Sequence, residues 1–521
     1  MTWEKELSEL KSRRKLVEKM GGEDNIKKHN ERGKLTARER ISRFVDKNSF
    51  EEIMPLVGES IYENDTQTSF TPKSSIDGFA LVNDRRVALS AGDFTVKGGM
   101  GKGASSASAG LGQEKSITQE ALINLIPYIR LLDSAGGSVR NFEKIGRTYL
   151  PDGNSFVNPE VELLQEVPVA SAVLGSVAGL PAVQAPLSHF SVMVKGISQI
   201  FPGGPPVVKA ALGYEIDKEA LGGSAIHTKI SGCIDNLAEN EDDAFEQVNK
   251  WLSYLPSSKY EIADRADPID SPGRKEEELL SIIPRDRRKT YDMKKIIALI
   301  CDTGSFFEIS PFYGKSRITG FARFNGFSAG IVANNPRFLG GSTDVTGGSK
   351  VNRFLQVCDI FNIPVVMLAD EPGFLVGLES EKQGIERAGA RLMSTICLSK
   401  MPIFTVVISK VYGVAGQCSH RPTGMFKRIC WPSSNWGSMH ISGGVTAAYK
   451  SEIEKASDPE AKKIEIETRL KNITSPFRTA ETTGQNIIDP RETRSHICSF
   501  LEQSQRVLKR QVGKSRFLFL P

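Results

Sequence analysis

Val411-Tyr412-Gly413-Val414-Ala415-Gly416-Gln417 is the stretch whose reading decides the fold, because Val177-Ala178-Gly179-Leu180-Pro181 has a similar build more than two hundred residues earlier. Each follows an apolar run that begins with a proline, Pro168 through Gly175 in the first case and Pro402 through Ile408 in the second. Each therefore reads as a buried strand entering a tight glycine turn. A chain that builds the same turn twice is expected to contain one fold twice, with two backbone sites facing a shared reaction.

Working outward from the turns, further matches appear in the same order. Asp46-Lys47-Asn48-Ser49-Phe50-Glu51-Glu52-Ile53 has the frame of Asp302-Thr303-Gly304-Ser305-Phe306-Phe307-Glu308-Ile309. Ile76-Asp77-Gly78-Phe79-Ala80 is answered by Ile318-Thr319-Gly320-Phe321-Ala322, and Ile126-Pro127 through Asp133 by Ile363-Pro364 through Asp370. The separation shrinks along the chain from 256 residues to 242, 237 and 234, as expected if the first copy carries loop insertions. Strands, glycine turns and helices alternate in each copy, which reads as a layered α/β domain made twice. Between the copies, Pro256 to Arg288 is rich in proline, glycine and charge, including Ser271-Pro272-Gly273-Arg274 and Lys275-Glu276-Glu277-Glu278. This exposed linker composition places the expected boundary near residue 275, with domains 1–274 and 275–521.

A length of 521 residues exceeds what one core usually supports and agrees with two domains. The 67 Lys and Arg against 62 Asp and Glu leave a mild +5, with no basic tract of the kind nucleic acid requires. Seven cysteines without a Cys-x-x-Cys pair point away from a disulfide framework and a zinc ribbon. The polar start Met1-Thr2-Trp3-Glu4 lacks the apolar core of a secretory signal, so a cytoplasmic, reducing compartment is expected. Val167 to Leu187 carries no charge over 21 residues, but Pro168, Pro181 and Pro186 break any continuous helix, so buried strand and turn are expected there rather than membrane insertion.

Side chains with obvious chemistry are scarce. The six histidines include no His-Glu-x-x-His; His189 and His420, close after the two turns, are candidate acid/base groups or ordinary structural histidines. No Gly-x-Ser-x-Gly elbow and no phosphate loop occur, and Cys418 has no sequence sign of activation. What remains is backbone. Glycine turns after buried strands can aim consecutive N–H groups at one point and stabilise an oxyanion, each donor being worth about 3 kcal/mol in the transition state. The alternative is a plain strand-to-helix connection, and the doubling of the turn favours two oxyanion sites and hence two carbonyl compounds.

Further stretches support this reading: Gly33-Lys34-Leu35-Thr36-Ala37-Arg38-Glu39-Arg40, Asp93-Phe94-Thr95-Val96-Lys97-Gly98-Gly99, Gly203-Gly204-Pro205-Pro206-Val207-Val208-Lys209, Leu221-Gly222-Gly223, Asp370-Glu371-Pro372-Gly373-Phe374, Gly384 to Ala390 and Asp489-Pro490-Arg491. In this collinear order the chain resembles the carboxyltransferase (beta) subunit of biotin-dependent acyl-CoA carboxylases. The resemblance implies two tandem crotonase-like domains of the ClpP/crotonase superfamily, the first on the acyl-CoA side and the second on the carboxybiotin side. It implies that CO2 leaves carboxybiotin, that biotin itself supplies the base, and that the thioester enolate then takes up CO2.

Carried over by position, the resemblance implies thioester donors at Gly179 and Leu180 and biotin donors at Val414 and Ala415. Gly136, Gly137, Gly204 and Gln417 would belong to the acyl-CoA pocket, and Gly373, Phe374 and Gly413 to the biotin side. Leu180 stands where the family usually has a second glycine, Pro181 offers no N–H, Val414 is larger than the usual glycine, and Glu371 stands where a valine is common. The Gly-Pro-Pro-Val-Val-Lys stretch and the Tyr412 to Gln417 spacing look closer to the methylcrotonyl and geranyl type than to the propionyl type. No Met-Lys-Met biotin attachment site occurs, so a partner biotin carboxylase and biotin carboxyl carrier subunit is implied, as is a hexamer of dimers. In such a hexamer each active site is shared between the first domain of one chain and the second domain of another. A eukaryotic source would place the protein in the mitochondrial matrix. Two other readings stand beside the leading one: the decarboxylase subunit of a sodium pump, and a scaffold paralogue that has lost activity.

Overall fold

The computed structural model describes residues 2–99, 115–137, 143, 146–148, 154–287, 289–417, 424–471 and 473–521. The chain divides into two compact units, Met1–Ser253 with Ser257–Lys259 and Pro521, and Tyr254–Pro256 with Tyr260–Leu520.

The first unit is built on β1 (Glu51–Glu52), β4 (Ser75–Val82), β5 (Arg85–Gly92), β6 (Tyr128–Ser134), β7 (Val169–Ala178), β8 (Phe190–Val194) and β10 (Asn236–Ala238), hydrogen-bonded in that order. β9 (Gln199–Phe201) pairs with the far end of β7, and β2 (Gly58–Glu63) with β3 (Thr66–Pro72) forms a separate hairpin. The second unit has β11 (Phe307–Ile309), β12 (Arg317–Phe324), β13 (Phe327–Asn334), β14 (Val365–Glu371), β15 (Ile403–Tyr412), β16 (Phe426–Cys430) and β18 (Asn486–Ile487) in the same arrangement. Here β17 (Asn435–Gly437) pairs with the end of β15. In both sheets the first three strands are antiparallel and the rest parallel.

Local chemistry accounts for the repeat. The hairpin turns Asn83-Asp84 and Asn325-Gly326 all have positive φ, as a two-residue hairpin needs. Asp46 takes the two turn amides of the first at 3.1 and 2.8 Å, and Asp302 those of the second at 3.0 and 2.8 Å, which is why the same aspartate opens each matched segment. β7 and β15 are uncharged over most of their length and buried on both faces, the condition of a parallel strand covered on both sides. The register of each main sheet slips once, between Leu132 and Ser134 in β6 and between Ala369 and Glu371 in β14. This bulge carries the fully buried Asp133 and Asp370.

Candidate functional site

Each bulged strand lies beside the strand that runs into a glycine turn. In the first unit β7 ends at Ala178, Gly179 follows with φ 68 and ψ −137, and the short helix Leu180–Gln184 begins at once. Ala182 N–H returns to the Gly179 carbonyl at 3.1 Å, and the amides that open the helix have no acceptor within it. Gly179 and Leu180 present those opening N–H groups, while Pro181 has none. Gly136, φ 81, lies against this turn, its Cα 3.8 Å from where a Cβ on Gly179 would stand; a Cβ on Gly136 would collide with the Ala178 carbonyl. Gly137 beside it is exposed. β9 brings Phe201 opposite Ala178, and Gly204 packs on the Phe201 ring before the helix Pro205–Leu212.

In the second unit β15 ends at Tyr412, and Gly413, φ 60, opens the helix Gly413–Gln417. Val414 is half exposed at 53% and Ala415 is buried, with both amides in the opening turn of the helix. The Gln417 side chain, and the candidates Cys418 and His420, lie outside the described residues. Gly373 has φ 131 and open space where a Cβ would be. Its loop is fixed by backbone bonds, Thr343 N–H to the Gly373 carbonyl at 3.1 Å and Leu375 N–H to the Thr343 carbonyl at 2.9 Å. The Phe374 ring lies against Gly389 of the helix Ile385–Leu398, where a Cβ would collide with it. Thus each unit brings its own candidate glycines to one strand end.

The residues just after each bulge act alike. Ser134 Oγ accepts from Gly136 N–H at 3.3 Å, and Glu371 Oε1 accepts from Gly373 N–H at 3.1 Å, so each holds the loop two residues on. Glu371 needs a larger setting for its charge: Arg317, Thr343 and Asn334 all reach its other oxygen, Asn334 at 3.1 Å.

Beneath the turns the two buried aspartates are held differently. Asp133 accepts from Arg40 Nη1 at 3.1 Å and Lys34 Nζ at 3.4 Å, with His29 Nε2 at 3.7 Å, and Arg40 Nε continues to Glu241 at 2.7 Å. A Cβ on Gly175 would overlap the Asp133 carboxylate, so β7 must carry a glycine there. Burial lowers the pKa of both Lys34 and His29, with the Asp133 charge opposing it. Asp370 accepts from the Tyr291 hydroxyl at 2.8 Å and Lys410 N–H at 2.9 Å, and burial followed by the Asp370 charge drives the Tyr291 phenol well up. Arg40 and Tyr291 as partners were not legible in sequence. The aspartates ended a matched segment, but nothing local says which distant cation or hydroxyl meets them.

His189, a candidate acid/base group or structural histidine, has the structural role: it is buried, its Nδ1 accepting from Val169 N–H at 3.0 Å and its Nε2 lying 3.0 Å from the Leu164 carbonyl. These bonds pin the start of β7 at the end opposite to the turn.

The arrangement presents two neutral sets of N–H donors, each at the end of a rigid strand and able to hold the oxygen of a carbonyl compound as charge develops on it. A ureido oxygen is a neutral acceptor of this class, and the open face at Gly373 and the amides of Val414 and Ala415 fit it.

Residues 28–516 match the carboxyl transferase domain family model. The chain is similar to the propionyl-CoA carboxylase carboxyltransferase subunit of Haloferax mediterranei, 33% identical with 99% of each chain covered. It is also similar to the methylmalonyl-CoA decarboxylase subunit alpha of Veillonella parvula, 33% identical with 92% of each covered. The crystal structure of the transcarboxylase 12S hexamer with methylmalonyl-coenzyme A bound superposes with a TM-score of 0.87 at 31% identity, covering 97% of this chain and 96% of that one. These names are of the propionyl and methylmalonyl type, and the expected leaning toward the methylcrotonyl and geranyl type finds no support in them. The leaning rested on two short stretches, whereas the similarity to a propionyl-type subunit runs over 99% of the chain.

Proposed function

Because the chain belongs to the carboxyl transferase domain family, we propose that its two glycine turns divide one reaction, the first holding the thioester and the second the biotin ring. The activity is that of a biotin-dependent acyl-CoA carboxyltransferase, which moves a carboxyl group between biotin on a partner subunit and an acyl-CoA. The observation that carries the division is the repetition of strand, bulge, buried aspartate and glycine turn in both units.

In the first unit the amides of Gly179 and Leu180 hold the thioester oxygen, and Gly136 and Gly137 leave room for the chain beside it. Gly204, at the end of the β9 segment, belongs to the same acyl-CoA pocket, and Gln417 of the second unit is proposed separately as an acyl-CoA-contacting residue. In the second unit Val414 and Ala415 donate to the ureido oxygen, and Gly413, Gly373 and Phe374 shape the opening. Biotin, when bound, carries the carboxyl group and supplies the base, which is consistent with turns that present backbone rather than titratable side chains. Asp133 and Asp370 keep the bulged strands, and therefore the donors, in place. The two compact units divide these roles, with residues 254–256 and 260–274 of the expected first domain 1–274 lying in the second unit, and the hexamer named for the matched transcarboxylase core is the assembly we assign to this chain. No helix among the described residues is long and apolar enough to cross a membrane.

The acyl group is of the propionyl or methylmalonyl class, as the relatives' names suggest. The decisive experiment is labelled-carbonate incorporation into a panel of acyl-CoAs with the cognate biotin-bearing subunit. Incorporation into a short acyl-CoA is expected, and none across the whole panel overturns the reading. The decarboxylase relative favours a second direction, transfer of the carboxyl group of methylmalonyl-CoA to free biotin, which leaves propionyl-CoA and carboxybiotin. Turnover in that assay that exceeds carboxylation would select it.

A further inference from the structure

Arg130 lies in the middle of β6 and is only 1% exposed, so its charge has to be met inside the first unit. It is met at the far end of the helix that follows the first glycine turn. Arg130 Nη1 donates to the Leu187 carbonyl at 2.7 Å and to the Gln184 carbonyl at 3.0 Å, the latter closing the helix Leu180–Gln184. Ser171 Oγ of β7 donates to the same Gln184 carbonyl at 3.3 Å. Gln184 Nε2 donates to Glu160 Oε1 at 2.6 Å, and Glu160 Oε2 lies 3.6 Å from Arg130 Nη2. The Tyr128 ring lies 5.1 Å from the guanidinium carbon, so the cation is held from the strand side as well.

A five-residue helix does not hold its own course, because its few hydrogen bonds barely repay the cost of the first turn. Its direction is set by what grips it. Ala182 and Ala185 pack it on the core, and Arg130 with Glu160 fixes its closing end. Leu180 and Gln184 are separated along the axis by only about 6 Å, at about 1.5 Å per residue. A shift of the closing carbonyls therefore passes to the amides of Gly179 and Leu180. The second unit lacks this device at the matched place. Met367 stands three residues before Asp370, as Arg130 stands before Asp133, and it pairs with Thr405 of β15 and lines a small cavity together with Ala415.

We propose that Arg130 is a positioning residue for the thioester: by holding the Gln184 and Leu187 carbonyls it aims the Gly179 and Leu180 amides, and it acts on the first turn alone. This rests on the reading of the first turn as the thioester site. Arg130 touches no substrate; its effect reaches the reacting carbonyl only through the backbone of the short helix. The fork of the guanidinium suits the task, since one nitrogen bridges two carbonyls while the other faces Glu160.

The test uses the full chain and the variant Arg130→Met, which installs the residue of the second unit. Difference infrared spectroscopy of propionyl-CoA labelled with 13C at the thioester carbonyl reads the donors directly, because aligned N–H groups lower the carbonyl stretch on binding. The wild type is expected to lower it, and Arg130→Met to lose at least half of that shift. In transfer from methylmalonyl-CoA to free biotin, the variant's kcat/KM for the CoA substrate should fall about tenfold or more, while KM for biotin stays within about twofold. A wild-type stretch unmoved by binding overturns the reading of the first turn, and the proposal with it. A wild-type shift that Arg130→Met leaves intact overturns the proposal alone, as does a biotin KM that rises in step with that of the CoA substrate. Where Arg130→Met fails to fold because Glu160 is left unpaired, Arg130→Met with Glu160→Gln removes both charges and is judged by the same criteria.

Discussion

The two halves share a sheet order, a bulge, a buried aspartate and a lysine about 3.5 Å from it, yet they give that aspartate different nearest partners. Asp133 is met by cations, Arg40 and Lys34, and Arg40 is shared with Glu241. Asp370 is met by a phenol and a backbone amide, with Lys410 Nζ more distant at 3.5 Å. The second half places its own tight ion pair one residue further on, between Arg317 and Glu371. At the matching position the first half has Ser134, a neutral hydroxyl. The lesson is that the backbone geometry of bulge and turn is the fixed requirement, and the charges that hold it are interchangeable.

The turns differ in the same spirit. Counting from Gly179 and Gly413, Leu180 stands with Val414 and Pro181 with Ala415, so the second turn has one N–H donor that the first lacks.

The largest effect expected from breaking this symmetry is in stability. Arg40→Met strands two carboxylates in the first core, and a loss of about 3–5 kcal/mol is expected in denaturant unfolding. The first unit should unfold first. A loss below about 1 kcal/mol would show that the cation is dispensable.

Next in size is the donor that only the second turn has. Ala415→Pro gives the second turn the residue that the first turn carries, and a fall in kcat of about 10²–10³ is expected if that amide holds the biotin oxygen. Pro181→Ala, which adds a donor to the first turn, should leave kcat within a few-fold. Equal responses would break the assignment of different roles to the two turns.

Smaller again is Tyr291→Phe, which removes one hydrogen bond to a charged group and should cost about 1.5–3 kcal/mol, less than Arg40→Met in the same assay. Leu180→Gly should shift KM for the acyl-CoA by only a few-fold, because this side chain is 41% exposed rather than packed into the turn. Activity that appears only in this variant would instead support a wild-type scaffold.

The smallest effect is one of pH. Burial lowers the His29 pKa, so the folded state binds its proton less readily than the unfolded chain. The contribution of His29 is complete above the ordinary imidazole range near 6.5 and is lost as pH falls below it. His29→Gln should flatten the fall in stability between pH 7 and pH 5, and an unchanged slope would place that titration elsewhere.

The duplicated fold was legible because its signals are local. Asp46 and Asp302 each cap a hairpin turn within the next few dozen residues, and the apolar runs before Gly179 and Gly413 each form one strand. The candidate site was legible to the extent that it is backbone, since a glycine turn announces itself. For His189, which the sequence left as an acid/base group or a structural histidine, the structure selects the structural role. Its sequence position after the first turn says nothing of direction, and the chain returns from the turn so that the imidazole meets Val169 and Leu164.

By itself, then, the sequence determined the duplication, the α/β layering and the two glycine turns, since all three follow from short-range periodicity and from residues whose backbone freedom is intrinsic. Only the tertiary structure decided which side chains hold the turns. Arg40 reaches Asp133 and Glu241 across 93 and 201 residues of chain, and Tyr291 reaches Asp370 across 79. Such partners are chosen by which groups the closed sheet buries together, where an unpaired charge is costly, and no local pattern records that choice.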